Sequence, residues 1–327
     1  MSTPDTAIND KTGRRPWRRL RLSEFTLPIF IVLMAAVAGF IEPKFFSQSN
    51  IMNLLRQMSP LMILAVGQAF AIISRGLDLS MASVLSLAGV AGVLVMQTHG
   101  VMPGIAVMLI IGLVTGAFSG VIIGFFQTSP LIVTLGMMSI AQALALIFSG
   151  GVPIYSVPEA YVELVGYTRV LGVPVIVIIA VATTLAGWVL LSRTVFGRYV
   201  YAVGSNPSAA LKTGIRVPWV QVGAYAVSGL TAGVGAIVLT AWIGAAQPVA
   251  APTLALEAIA AVVLGGVALT GGSGRIIHVI YGVIILGMLS NALNMIGVSD
   301  YYQTLAVGIV IIMAVILDRF RRRAALS

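Results

Sequence analysis

The chain has 327 residues, of which 59% are hydrophobic and only 9% are charged, so a water-soluble fold is excluded: too few polar side chains are available to cover a globule. Its net charge of +9 does not indicate a nucleic-acid binder, because the Lys and Arg residues lie in short groups beside apolar segments. The absence of cysteine from the sequence excludes disulfides, thiolate metal sites and cysteine nucleophiles.

A basic tail, residues 1–24, precedes an apolar run at 25–41. This order is also typical of a secretory signal peptide, but the next residues, Glu42-Pro43-Lys44-Phe45-Phe46, contain no small-x-small cleavage site. We therefore interpret the run as a first membrane helix that is not cleaved.

Further apolar runs follow, each bounded by turn-forming or charged residues. Crossing a bilayer upright takes roughly 20 helical residues, so we expect the shorter runs to be tilted, broken or partly inserted. Glycines four residues apart, such as Gly112 and Gly116, indicate helices that pack closely in lipid. The expected fold class is an all-α, polytopic transmembrane bundle of about ten helices. Their predicted ranges are 25–41, 51–74, 80–97, 102–126, 130–150, 172–191, 218–243, 255–270, 276–296 and 303–318.

The distribution of Lys and Arg tests this helix count, because these residues gather on the cytoplasmic side of membrane proteins. If the chain starts inside, sixteen of its nineteen basic residues lie on one side, and Lys44, Arg56 and Arg169 lie on the other. Both termini are therefore predicted to be cytoplasmic, with an even number of helices between them. The expected domains are a basic tail, a transmembrane domain and a second basic tail, at residues 1–24, 25–318 and 319–327.

The loop at 192–217 is the longest predicted cytoplasmic connection, and it contains the signals of a short helix. Asn206 suits an N-cap, Pro207 suits the first helical position, and Gly214 suits the left-handed residue after a helix end. About two turns of helix fit between them, which is too short and too polar to cross a bilayer. From the residues alone, a surface connector and an element that couples to a cytoplasmic partner are equally good interpretations.

Two segments share a pattern. Residues 70–80 and 264–274 each end an apolar run in a break that carries glycine and hydroxyl side chains, and a new helix follows each break. The likeness is too short to establish an internal duplication.

Catalytic motifs are missing from the sequence. The phosphate-binding pattern G-x-x-x-x-G-K-[ST] does not occur, and Gly271-Gly-Ser-Gly-Arg275 lacks the lysine that would reach a phosphate. Neither H-E-x-x-H nor G-x-S-x-G is present, and two histidines are too few for most metal sites. We therefore expect no catalytic residue, no metal site and no ATP hydrolysis by this chain, which we do not expect to be an enzyme.

Three ionisable residues lie near the predicted spans: Asp78, Glu257 and His278. An ion-coupled transporter usually keeps an acid deep within a span, whereas each of these residues lies close to a predicted helix end. Glu257 suits the positive end of its helix dipole. For Asp78 we favour capping of the next helix or pairing with Arg75 over contact with a solute.

Solute contact would then depend on polar groups inside the bundle. Asn291 and Asn294 are three residues apart and share a helix face. Hydrogen bonding between helices explains each polar residue at least as well, and a neutral pathway suits an uncharged solute rich in hydroxyls. The candidate pathway residues are Gln68, Asp78, Ser80, Thr134, Gln142, Asn291 and Asn294, with Phe125 and Phe126 as aromatic walls.

Five segments match one family pattern, in the family's order. They are Gly76-Leu-Asp-Leu-Ser80, Pro130-Leu-Ile-Val-Thr-Leu-Gly-Met137, the cytoplasmic segment 196–215, Ala268-Leu-Thr-Gly-Gly272 and Asn291-Ala-Leu-Asn294-Met-Ile-Gly297. With them the chain resembles, across residues 51–318, the permease subunits of ribose-type sugar ABC importers, which are sometimes grouped with the branched-chain amino-acid permeases. Each segment alone is a weak signal, but their shared order is a strong one.

This resemblance implies a ten-helix permease that moves a monosaccharide across the bacterial inner membrane by alternating access. The implied partners are a separate ABC ATPase that binds ATP and Mg, a periplasmic solute-binding protein, a second permease copy in a homodimer and the membrane lipid. This chain itself would bind no cofactor and no nucleic acid. The loop at 192–217 would rest on the ATPase, with coupling residues Gly197, Arg198, Tyr201, Gly204, Asn206, Ala209, Ala210 and Gly214.

The sequence departs from the family pattern at two places. Arg75 stands where the family often has glycine, and Ile277-His278-Val279 replaces a pair of small residues. Both lie near the predicted inner face, so they bear on what the resemblance implies about gating more than on the fold. The alternative functions are an ion-coupled secondary transporter of a small polar solute and a structural membrane protein, for which the capped helix would be unnecessary.

Overall fold

The computed structural model describes residues 22–299, 301–310 and 312–313. These residues form a bundle of long helices. Small elements lie at the connections: a 3₁₀ turn at Pro43–Phe46, a π-helical turn at Val162–Tyr167, and an antiparallel hairpin of β1 Arg169–Val170 and β2 Val173–Pro174. The α-helices are α1 Leu22–Ile41, α2 Gln48–Ile73, α3 Met81–His99, α4 Val101–Phe126, α5 Pro130–Ser149, α6 Glu159–Tyr161, α7 Val175–Arg193, α8 Val195–Ser205, α9 Pro207–Lys212, α10 Val217–Ile243, α11 Leu254–Leu264 and α12 Ile276–Met295. Residues 301–310 are helical as well.

Seven helices of the described chain are long and apolar enough to cross a membrane: α2, α3, α4, α5, α7, α10 and α12. The prediction of an all-α, polytopic bundle is therefore confirmed. The count of about ten helices and the cytoplasmic termini stay predictions. The tails predicted at 1–24 and 319–327 lie largely or wholly outside the described residues, as does part of the predicted helix 303–318.

The core of the bundle is built by α2, α3 and α10. The apolar part of α2 is 83% buried and that of α3 is 72% buried, whereas those of α4 and α5 are only 28% and 22% buried. Helix α10 packs along α4 and against α2, so it connects the buried centre to an outer layer. The exposed faces of α4 and α5 are suited to contact with lipid or with another membrane subunit.

Glycines set a close helix contact between α4 and α10. A side-chain carbon at Gly112 would collide with the carbonyl oxygen of Gly229, and one at Gly116 would collide with the carbonyl oxygen of Tyr225. In lipid, helices gain little from burying apolar surface against each other, so van der Waals contact at short range supplies the attraction. The glycine spacing in α4 therefore serves the close packing that the sequence predicts.

One predicted span is shorter in the structure. The run at 255–270 forms only α11, whose 11 residues reach about 16 Å and cannot cross a bilayer. The helix stops at the pair Gly265-Gly266, and Gly266 adopts a φ of +85° that residues with a side chain rarely adopt. Residues 265–275 continue as a loop to the start of α12.

The loop predicted at 192–217 contains two helices, α8 and α9. Helix α9 has the expected cap, because the side chain of Asn206 accepts a hydrogen bond from the amide of Ala209 at 3.0 Å. Helix α8 begins after Thr194, whose hydroxyl accepts from the amide of Gly197 at 3.2 Å. The signals at Asn206, Pro207 and Gly214 predicted α9 from the sequence, whereas α8 was not predicted.

We predict that Gly116→Ala destabilises the bundle, because the added methyl group meets the backbone of α10 and forces the two helices apart. Such overpacking costs about 1–3 kcal/mol. Gly136→Ala in α5 is the matched control, since a side-chain carbon there would meet open space. Thermal unfolding of the purified variants in one detergent measures the difference. Equal melting temperatures for the two variants would contradict the close contact.

Candidate solute cavity and coupling junction

Most of the Lys and Arg residues in the described chain lie at one end of the bundle, which we name the basic face. It includes the break between α2 and α3, helices α8 and α9, and the first residues of α10 and α12. Its basic residues are Arg75, Arg193, Arg198, Lys212, Arg216 and Arg275. The opposite end, which carries the outer hairpin of β1 and β2, is named the far face.

Helix α9 lies on the basic face and has one free side. Ala209 is exposed, whereas Ala210 is 5% exposed and packs into the main core of the bundle. Gly214 follows the helix with a φ of +85°, a conformation typical of the residue after a helix end. One side of α9 therefore holds it to the bundle, and the other side can contact another molecule.

A coupling junction joins α8 to two other elements, through residues Ile73, Gly204 and Gly272. The amide of Gly272 donates to the carbonyl of Ile73 at 2.9 Å, so the loop after α11 satisfies a carbonyl at the end of α2. Gly204 lies against both groups, and a side-chain carbon there would collide with the Ile73 carbonyl. The two breaks that share a sequence pattern, at 70–80 and 264–274, therefore meet in space at α8.

Tyr201 adds a hydrogen bond between α8 and the loop after α11. Its hydroxyl donates to the carbonyl of Gly274 at 2.7 Å. Burial raises the pKa of the Tyr201 phenol, and the charge of Arg275 partly offsets the rise. The phenol therefore stays protonated and keeps this bond at physiological pH. Arg198, one turn before Tyr201, lines a cavity at the same place.

Asp78 lies in the break between α2 and α3 and is 1% exposed. One of its carboxylate oxygens accepts from the amide of Ser80 at 3.0 Å and from the Ser80 hydroxyl at 2.6 Å, and the other accepts from the hydroxyl of Ser228 at 2.6 Å. These bonds replace the water that a buried carboxylate loses. Asp78 therefore bonds to Ser80, the residue that precedes α3, and not to an amide within the first turn of that helix.

Thr134 of α5 supports the same break. Its hydroxyl donates to the carbonyl of Pro130 at 2.9 Å and also lies 3.3 Å from the carbonyl of Leu77. The hydroxyl of Tyr225, on α10, donates to the Leu77 carbonyl at 3.3 Å. Hydroxyls of α5 and α10 therefore provide hydrogen-bond partners for the Leu77 carbonyl, which lies in the break and has no partner within a helix.

A cavity of 480 Å³ adjoins this break, between α3, α5 and the segment that leads into α11. Its volume is typical of a site for a small molecule. The walls are mostly apolar, and no Asp, Glu, Lys, Arg or His lines them in the described part of the chain. Within the same residues, no group of three or more His, Asp or Glu side chains could hold a metal ion. The polar side chains of the cavity are Ser83, Ser86, Ser139 and Gln142.

The cavity's third wall begins at the far face, where the chain leaves α10. Ala246 pairs with Ile154 through two backbone hydrogen bonds, each of 2.9 Å. Tyr161 lies, like Ile154, in the connection between α5 and α7, which we name the far-face connection. It is fully buried and donates its hydroxyl to the carbonyl of Ile237 in α10 at 2.6 Å. These bonds attach the far-face connection to the end of α10.

From this anchor, residues 246–253 run back into the bundle without forming a helix. The carbonyl of Pro248 accepts from the side-chain amide of Gln142 at 2.6 Å, and the amide of Ala250 donates to the hydroxyl of Ser86 at 3.1 Å. Gln142 lies beyond the middle of α5 and Ser86 lies in the second turn of α3, so the segment reaches well inside the bundle. Irregular backbone at this depth is tolerated where it lines a cavity or is buried in protein.

Several predicted pathway residues lie away from this cavity. Asn291 of α12 pairs with Asn50 of α2 through two side-chain hydrogen bonds of 3.0 and 3.1 Å. Asn294 is exposed, so the two asparagines differ in environment despite their spacing. Phe125 and Phe126 are exposed at the end of α4. The structure therefore brings Asp78, Ser80 and Thr134 together near the cavity and separates Asn291 and Asn294 from it.

Gln68 has an unusual environment in the last third of α2. Its side chain is fully buried, and neither the oxygen nor the nitrogen of its amide has a hydrogen-bond partner among the described residues. Leaving a buried polar group unsatisfied costs about 1–3 kcal/mol. A hydrogen-bond partner for the Gln68 amide would therefore stabilise this part of α2.

Of the polar residues of the cavity, Gln142 was predicted from the sequence and the three serines were not. Ser83 and Ser86 are three residues apart in α3, and Ser139 and Gln142 are three residues apart in α5. Residues with that spacing share a helix face. Pairs of small polar residues on otherwise apolar helices were therefore the available signal.

The chain is similar to permease proteins of known transport systems along most of its length. Residues 50–315 match a family model described as the permease component of the branched-chain amino acid transport system. The ribose import permease protein RbsC of Haemophilus influenzae is 38% identical over 89% of this chain and 92% of its own length, and that of Bacillus subtilis is 41% identical over 90% and 91%. The L-arabinose ABC transporter permease protein AraH of Azospirillum brasilense is 34% identical over 98% and 94%. No solved structure matches the chain.

We predict opposite effects for one substitution at two glutamines. Gln68→Met removes an unsatisfied amide at similar volume and should raise the melting temperature in detergent by a few degrees, the effect of about 1–2 kcal/mol. Gln142→Met removes the donor to the buried Pro248 carbonyl and should lower it. A decrease at both positions, measured by thermal unfolding, would show that Gln68 has a partner after all.

Proposed function

Because the chain belongs to the family of transport-system permease components, we propose that it moves a monosaccharide inward across the membrane as the permease subunit of an ATP-driven importer. The observation that carries this proposal is the likeness to ribose and arabinose permeases along about nine-tenths or more of the chain. The cavity beside the Asp78 break supports it independently, since its size and neutral polar groups suit a small solute rich in hydroxyls.

The chain is a multi-pass protein of the bacterial inner membrane, with seven candidate spans in its described part. We infer that the basic face is cytoplasmic, because Lys and Arg gather on that side of membrane proteins. Ten helices with both termini inside agree with this orientation. The far face is then periplasmic, where a solute-binding protein would deliver the sugar.

Solute would pass through the cavity between α3, α5 and residues 249–256. Ser83, Ser86 and Ser139 offer hydroxyls, and Gln142 offers an amide, so the walls can both donate to and accept from the hydroxyls of a sugar. The cluster of Asp78, Ser80 and Thr134 adjoins the cavity on its cytoplasmic side. Its internal hydrogen bonds give it a supporting role more than a direct contact.

Gln68 would gain its partner in another state of the cycle. A polar group that is unsatisfied in one conformation favours any conformation that supplies a hydrogen bond. We propose that α2 moves during transport and brings the Gln68 amide to solute, water or a neighbouring helix. A pathway role for Asn291 and Asn294 stays a prediction, and their surroundings suit contact between helices or at the surface.

Helix α9 would dock on a separate ATPase subunit, which binds ATP and Mg. Movement of α9 passes to α8, and the coupling junction passes it on, because Gly204 lies between the end of α2 and the loop after α11. Helix α11 carries part of the cavity wall. Closure of two ATPase subunits under a permease dimer would thus switch the cavity between outward-open and inward-open states.

No observation favours the ion-coupled alternative. The most buried acid in the described chain, Asp78, is held by hydrogen bonds from two serines, and that arrangement suits a structural role. Uptake that continued without an ATPase partner would support the alternative.

We predict that Ala209→Trp lowers uptake about tenfold or more without unfolding the chain. Ala209 is exposed on α9, so the indole disturbs only a docked partner, and misfit in a packed contact costs about 1–3 kcal/mol, or roughly tenfold or more in affinity. Ala182→Trp on the exposed side of α7 is the control. Uptake of labelled ribose and arabinose by cells that contain all subunits is measured. Full uptake by the Ala209 variant would rule out docking through α9.

A second prediction separates the solute path from the coupling element. Ser139→Phe should fill part of the cavity and lower uptake about tenfold, while ATP hydrolysis by the complex persists. Ile140→Phe, one residue further along α5, changes a side chain that does not line the cavity and should have little effect. Equal uptake by the two variants would place the path elsewhere.

A further inference from the structure

A second cavity opens on the basic face, between the break after α2, the connection from α4 to α5, and helices α9 and α10. Its volume is 450 Å³, close to the 480 Å³ of the cavity beside α3 and α5. Arg75 lines it, and no Asp or Glu does among the described residues. We name this cavity the Arg75 pocket. Its other polar side chains are Gln127, Thr128, Ser208 and Gln221.

The guanidinium of Arg75 has no partner in the described part of the chain. It makes no hydrogen bond and no ion pair with any residue there. Asp78 lies three residues further along the same break, but its carboxylate accepts hydrogen bonds from Ser80 and Ser228 instead. The pocket therefore carries a positive charge that its described walls do not balance, and an anion with several acceptor oxygens would pair with it.

The surrounding backbone fixes the position of Arg75. Its φ of +74° is a left-handed conformation that residues with a side chain rarely adopt. The loop after α11 packs directly against it, because a side-chain carbon at Gly271 would lie 2.9 Å from the Cβ atom of Arg75. The amide of Arg75 donates to the carbonyl of Ile72, also at 2.9 Å. An uncommon conformation that the neighbours enforce is often found where a side chain binds a ligand.

The neutral polar groups of the pocket suit hydroxyl groups. The side chains of Gln127, Ser208 and Gln221 make no hydrogen bond with any described residue, so they can both donate to and accept from a ligand. A single carboxylate from another protein would bond to Arg75 but would leave these groups and most of the volume unused. A small molecule that has one anionic group and several hydroxyls would use both.

We propose that the Arg75 pocket binds a phosphate ester that carries hydroxyl groups, such as a sugar phosphate. The guanidinium donates paired hydrogen bonds to the phosphate, and the amides of Gln127 and Gln221 bond to the hydroxyls. A phosphate ester is favoured over a sugar acid because Arg75 is exposed, where attraction between charges is weak. The phosphate carries nearly two negative charges at neutral pH, and a carboxylate carries one.

The ligand would contact two elements of the proposed coupling path. Ser208 belongs to α9, and Arg75 packs against Gly271 in the loop after α11. A bound phosphate ester would therefore hold α9 in its present place beside the break. This consequence rests on the proposed docking of α9, whereas the binding itself does not.

Binding is measured on the purified full chain in detergent, so the test does not depend on transport. Isothermal titration calorimetry gives the affinities for ribose 5-phosphate, ribose and inorganic phosphate. The variant is Arg75→Gly, because glycine adopts a φ of +74° without strain and the chain should fold normally. The control is Arg193→Gln, which removes one charge from the same face outside the Arg75 pocket.

We expect ribose 5-phosphate to bind more tightly than ribose or inorganic phosphate, and equally well to the unaltered chain and to R193Q. Its affinity for R75G should be about tenfold lower or less, the effect of losing hydrogen bonds to a charged group. Gln221→Leu should lower it about fivefold and leave inorganic phosphate unchanged. Ser139→Phe, which fills the cavity beside α3 and α5, should have no effect, so an error in the proposed solute path would not alter the result.

A second source of the same chemistry is the glycerol phosphate headgroup of phosphatidylglycerol. Phe125 and Trp219, both exposed beside the pocket, pack edge to face with 5.3 Å between their ring centroids. Tryptophan is typical of the boundary between membrane and water. Native mass spectrometry with phosphatidylglycerol and phosphatidylcholine distinguishes the two sources. Retention of phosphatidylglycerol that depends on Arg75, without binding of ribose 5-phosphate, would assign the pocket to the lipid headgroup.

Three results would overturn the proposal. Equal affinities of R75G and the unaltered chain for ribose 5-phosphate and for phosphatidylglycerol would exclude a phosphate site at Arg75. Equal losses in R75G and R193Q would reduce the pocket to a general basic surface. Binding of neither probe, with loss of the ATPase subunit from R75G, would assign Arg75 to an acidic side chain of that partner.

Discussion

Backbone groups that leave a helix while they are still buried must find their partners within the protein, because neither lipid nor a packed interior offers water. This constraint organises both breaks in the bundle. The end of α2 exposes the Ile73 carbonyl, and Gly272 satisfies it from a distant part of the chain. The Leu77 carbonyl, further along the same break, is met by hydroxyls of α5 and α10. The burial of these backbone groups thus joins segments that would move together in the proposed transport cycle.

The same constraint explains the cavity. Residues 246–253 enter the bundle without helical hydrogen bonds, so their backbone uses Gln142 and Ser86 as partners. These two side chains also line the cavity, and they hold its third wall against α3 and α5. Two of the four polar side chains that a sugar would use are therefore ones that the fold requires at this depth. Gln68 is the exception, since its buried amide has no partner in the described structure.

The sequence predicts the fold well where its signals are local. Apolar runs predict the spans, glycine spacing in α4 predicts close packing, and Asn206 predicts the cap of α9. Local signals fail where a distant partner decides the outcome. The run at 255–270 is apolar enough for a full helix, but it stops at Gly265-Gly266, where the following loop bonds to Ile73. The pairing of Asn291 with Asn50 and the closeness of Ser83 to residues 249–252 depend equally on tertiary contacts.

The central claim is that this chain supplies the path and the docking element of an importer, while another subunit supplies the energy. The most direct test is affinity purification of the tagged chain from membranes in mild detergent, with mass spectrometry of the proteins that accompany it and an ATPase assay of the complex. The account predicts recovery of an ATP-binding subunit whose hydrolysis is stimulated by a sugar-loaded binding protein. A chain recovered alone, without ATPase activity even after crosslinking, would contradict it and favour a secondary transporter.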